Sequence, residues 1–111
     1  MATSPGQNEL AAAMERIWAQ FLPQMYERLG AIDAAVSALA AGNLTTAERA
    51  AANSAAHKLA GVLGTFGLTR GTVLAREAEM IFSSESENYE GVLPLLSEIA
   101  AQLRVLIEQH P

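Results

Sequence analysis

Apolar residues recur at spacings of three and four from the start of the chain, through Leu10, Met14, Ile17, Phe21, Met25, Leu29, Ile32, Val36 and Leu39. That period lines one stripe of an α-helix. Pro23 falls inside the stripe, which predicts either one long helix kinked there or two helices meeting end to end. Asn8 is placed to cap the start, and Gly42-Asn43 to stop the end. Residues 1–7 contain Pro5 and Gly6 and carry no apolar period, so they read as a flexible tail ahead of a helical domain over 8–111.

A second helix is predicted to open at Thr45 or Thr46 and run to about Phe66. Glu48 stands three residues after Thr45, the spacing of a capping box, and Gly67 suits the left-handed position past a helix end. A third opens at Thr69 and continues through Val73, Leu74, Ala78, Ile81 and Phe82. The polar run Ser83 to Asn88 separates it from a fourth, marked by Val92, Leu96, Ile99, Leu103 and Leu106, with Gly91 and Pro94 confined to its opening turns. Amphipathic helices joined by short loops bury their stripes against one another. The predicted fold is therefore all-α, an antiparallel up-and-down four-helix bundle with a Pro-kinked or split first helix.

Composition narrows the function. A length of 111 residues fits one domain. Half the residues are hydrophobic but only 5% are aromatic, which favours close-packed helices over a sheet. The absence of cysteine excludes disulfides and thiolate zinc sites. A net charge of -5 opposes nucleic-acid binding. With no long apolar run and no signal-like start, neither membrane insertion nor export is expected, and the reading is cytoplasmic. His57 and His110 are far apart and lack a Glu-x-x-His pattern, so no intrinsic metal site is expected. His110 is expected to fray, Trp18 and Phe21 to pack in the core, and Glu85 and Glu87 to solvate a loop. No nucleotide-binding motif supports autonomous kinase chemistry.

The informative segment surrounds His57. On a helical wheel at about 100° per residue, Leu59, Val62, Leu63 and Phe66, with Ala52 and Ala55, form the core stripe. His57 points away from it, and within about 60° lie Asn53, Ser54, Ala60, Gly61 and Gly64. An ordinary solvent face would carry Lys, Glu, Gln or Arg, and each helical glycine costs roughly 1 kcal/mol relative to alanine. A face kept this small suits the approach of another molecule to an imidazole, which at neutral pH is largely uncharged and nucleophilic. No general base or orienting acid accompanies His57 nearby in the sequence.

These residues resemble the histidine-containing phosphotransfer (Hpt) domain family, whose signature is a histidine followed by x-Leu-Lys-Gly and by a further glycine near the helix end. His57, Leu59, Gly61 and Gly67 match in place, whereas the lysine expected three residues after the histidine is Ala60. The resemblance implies that His57 accepts a phosphoryl group from a receiver-domain aspartate and passes it to another receiver. The chain would then be a monomeric carrier, without a cofactor of its own and with Mg²⁺ held by the partner. Receiver domains of response regulators or hybrid histidine kinases are the implied partners. Asn53, Ser54, Ala60, Gly61 and Gly64 would provide access and docking. Lys58, or one of Arg49, Arg70 and Arg76, would supply the charge missing at Ala60. The alternative is an Hpt-like module that docks a receiver or kinase without phosphotransfer.

Overall fold

Gly42 and Gly67 both adopt φ of +75°, and each closes a helix. In the computed structural model, which describes residues 5–83 and 89–110, four helices follow in order. They are α1 (Pro5–Ala40), α2 (Thr46–Thr65), α3 (Thr69–Ser83) and α4 (Leu93–Gln109), the last entered through a 3-10 turn at Glu90–Val92. Past α1, the Gly42 and Asn43 amides donate to the carbonyls of Leu39 and Ala38. Past α2, the Gly67 and Leu68 amides donate to those of Gly64 and Leu63. Only glycine enters this left-handed position without a Cβ penalty, so both stops are written in the sequence. The start of α2 is the expected capping box: Thr45 Oγ1 accepts from the Glu48 amide at 3.1 Å, and Glu48 Oε1 accepts from the Thr45 amide at 3.0 Å. Such a cap contributes about 1 kcal/mol.

The core forms where the stripes converge. Met25, Leu29 and Ile32 of α1, Leu59 and Leu63 of α2, Phe82 of α3, and Leu96, Ile99, Leu103 and Ile107 of α4 are fully buried. Side-chain bonds pair the start of α2 with the end of α3, from Arg49 to the Phe82 carbonyl, and the later Ala60 carbonyl with Thr72. These two helices therefore run antiparallel, and alanines at their contact (Ala52, Ala56, Ala75, Ala78) bring them close. Arg104 of α4 pairs with Asp33 of α1.

Several expectations change here. Of the two alternatives at Pro23 the single helix holds, since α1 is continuous through it, but α1 begins at Pro5, so Pro5–Gln7 are helical rather than tail and Asn8 lies inside the helix and caps nothing. Pro23 and Ala19, whose carbonyl loses its donor, are both exposed to water. Leu10, Met14, Ile17 and Phe21 continue the apolar period but are exposed, Leu10 at 64%, because the other helices end level with Trp18. Trp18 itself is buried, edge-on to Phe66 at the end of α2 and stacked on His110 with ring centroids 3.8 Å apart. His110 is thus held by ring contacts. In α4 the buried stripe ends on Ile107 rather than Leu106, and in α3 Val73 is exposed. The Glu85 and Glu87 loop and residues 1–4 of the expected tail lie outside the described residues.

Candidate functional site

His57 rides the ridge of α2 between its two neighbours, with 73% of its side chain exposed. The helical repeat puts Asn53, Ala56 and Ala60 on one side of it and Ser54, Lys58 and Val62 on the other. The first side meets α3. Asn53 Nδ2 donates to the Glu79 carbonyl at 2.8 Å, and Thr72 Oγ1 donates to the Ala60 carbonyl at 3.1 Å. The second side borders α1 across a groove of about 430 Å³ whose lining includes Gln24, Glu27, Arg28, Ser54 and Lys58.

Glu79 is the residue that sequence reasoning missed. Its Oε2 lies 2.8 Å from His57 Nδ1, and its side chain is 29% exposed against 73% for the imidazole. An ionised carboxylate only accepts, so the proton of this bond sits on Nδ1. In the neutral ring Nε2 then carries the lone pair, away from Glu79, and the bond fixes the ring in orientation. The 22-residue separation hides the pair in the sequence. It could have been found by folding α2 and α3 back on each other about Gly67, which brings the 77–79 region of α3 alongside His57.

The face of small residues around His57 divides in two. Ser54 and Gly61 are exposed, and a Cβ added at Gly61 would meet nothing within 4 Å. Ala60, expected on the open face, is instead only 4% exposed and packs toward α3, so its small size serves helix contact rather than access. Asn53 is half-buried and committed to the Glu79 carbonyl. Gly64 is exposed, but a Cβ there would sit 3.3 Å from Thr72 Oγ1, so part of its smallness also serves α3.

The basic residues separate in the same way. Arg49 donates to the Phe82 carbonyl at 2.6 Å, and Arg70 is bonded to Gln102 of α4. Lys58 is exposed on the α1 side of His57, and Arg76 is exposed on α3.

The family model described as Hpt domain matches residues 16–110. Protein RcaC of Microchaete diplosiphon is 30% identical over 101 residues, covering 91% of this chain but only 16% of that protein. No solved structure matches. No helix among the described residues is long and apolar enough to cross a membrane.

Proposed function

The chain belongs to the Hpt domain family, the phosphocarriers of two-component signalling, and from that premise we propose that His57 receives a phosphoryl group from a receiver-domain aspartate and returns it to another. The observation that supports this reading is the Nδ1 bond to Glu79, which in the neutral ring leaves the Nε2 lone pair free to act as the nucleophile. In the forward step the Nε2 lone pair forms an N–P bond as the acyl-phosphate P–O bond breaks, and the aspartate leaves as a carboxylate. Nδ1 keeps its proton throughout. The positive charge that develops on the ring lies against the Glu79 carboxylate, and the reverse step releases a neutral imidazole. No proton has to be found or lost in either direction, as suits a carrier. Such transfer depends chiefly on positioning and on charge around a loose transition state.

The partner's access lies over Ser54, Gly61 and the exposed edge of His57, on the α1 side of the ridge. Lys58 borders the same approach and offers a cation to the incoming phosphoryl group. The Mg²⁺ that accompanies aspartyl phosphate belongs to the receiver in this scheme. Incubation with a panel of phosphorylated receivers tests it. The expected product is an acid-labile, base-stable phosphate on Nε2 of His57, absent from His57→Gln. Receivers that bind without any label appearing would make the chain a docking module instead.

A further inference from the structure

The Hpt signature places a lysine where this chain has Ala60, and Ala60 is buried against α3. A cation for the phosphoryl group is therefore to be sought on what α3 presents at that level. The register is fixed by two contacts: Thr72 lies on the Ala60 carbonyl and Glu79 on His57. At about 100° per residue, Thr72, Arg76 and Glu79 fall within about 60° of one another on α3, so Arg76 occupies the turn between the two contacts.

Arg76 is also uncommitted. It is exposed and makes no hydrogen bond or ion pair among the described residues, whereas Arg49, Arg70 and Arg104 are bonded to Phe82, Gln102 and Asp33 respectively. Glu79, its neighbour three residues on, is engaged by His57. Resting on the phosphotransfer reading above, we infer that Arg76 is the cation that holds the phosphoryl group of phosphorylated His57, supplied from α3 in place of the lysine that α2 lacks. Its guanidinium fork suits bidentate contact with phosphoryl oxygens. It also offsets the repulsion between the dianion and the nearby Glu79 carboxylate. Loss of the phosphoryl group through a loose transition state draws negative charge off its oxygens, so a cation on those oxygens favours the bound state and slows hydrolysis.

Phosphoramidate, a small donor that transfers its phosphoryl group to histidine with release of ammonia, loads the full chain without any receiver. Phosphohistidine lifetime is then followed for the unsubstituted protein, Arg76→Ala, Arg76→Lys and Lys58→Ala, each checked by circular dichroism. Arg76→Ala is expected to shorten the lifetime by about threefold, the scale of one exposed charge contact, and Arg76→Lys to restore part of it. The difference should shrink as salt rises from about 0.1 to about 1 M. A lifetime unchanged in Arg76→Ala, or shortened only in Lys58→Ala, overturns the inference while leaving the carrier reading intact. Failure of the unsubstituted chain to label at His57 overturns both.

Discussion

His57 Nδ1 and Glu79 Oε2 are 2.8 Å apart, joining the exposed ridge of α2 to the flank of α3. The bond selects a tautomer as well as an orientation, so its removal should change which nitrogen reacts. In Glu79→Ala the imidazole can turn and either nitrogen can face the donor. Transfer should fall on the order of tenfold, and the phosphorylated product should become a mixture of Nδ1 and Nε2 forms. Glu79→Gln keeps an acceptor without the charge and should lie between. Nitrogen-resolved NMR of the phosphohistidine reads the outcome, and a pure Nε2 product from Glu79→Ala would show that the bond does not direct the chemistry.

His57→Gln should abolish phosphate acceptance while leaving the bundle intact. The side chain is 73% exposed and fills no core space, so the stability change should stay within about 0.5 kcal/mol. Chemical denaturation and a transfer assay on the same preparation check this. Labelling that persists, or moves to His110, would displace the assignment.

How far the sequence could be read is clearest at the residues with the simplest physics. Gly42, Gly67 and the Thr45–Glu48 box marked helix ends correctly because each works through local backbone geometry. The apolar period was less informative. Leu10, Met14, Ile17 and Phe21 have the same spacing as Met25, Leu29 and Ile32, yet only the latter are fully buried between helices, and Phe21 reaches no further than the edge of Phe66. Period identifies a helical face; the lengths of the neighbours decide how much of it is covered. Around His57 the ambiguity lay in small residues, since alanine and glycine serve equally for an open approach and for close helix packing. Gly61 borders open space, whereas Ala60 is buried at the contact with α3. Glu79 required the register of α2 on α3, which no local pattern encodes.

Ala60→Lys tests that reassignment. The residue is 4% exposed beside Thr72, so a lysine stem would have to slide past the Thr72 hydroxyl to bring its ammonium into water. Restoring the residue of the family signature should therefore destabilise this chain by about 1–2 kcal/mol. Thermal or urea denaturation measures it. An unchanged or raised stability would mean that the contact with α3 opens easily and that Ala60 is available to solvent after all.

Gly61 and Gly64 provide the final test, because they lie three residues apart on one helix face and differ in what a side chain would meet. A Cβ at Gly61 enters open space, so Gly61→Ala should stabilise the fold by about 0.5–1 kcal/mol through helix propensity alone. At Gly64 the same Cβ approaches Thr72 Oγ1 at 3.3 Å, and that hydroxyl is already engaged with the Ala60 carbonyl. Displacing it weakens a hydrogen bond worth about 1 kcal/mol, so Gly64→Ala should gain little or lose stability. Function should follow the opposite order when the substitution is large. Gly61→Gln projects bulk over the approach to His57 and should cut transfer severely while helix content holds. If Gly61→Gln transfers at the normal rate in a folded protein, the receiver does not approach over Gly61, and the access route must be sought on the other side of the His57 ridge.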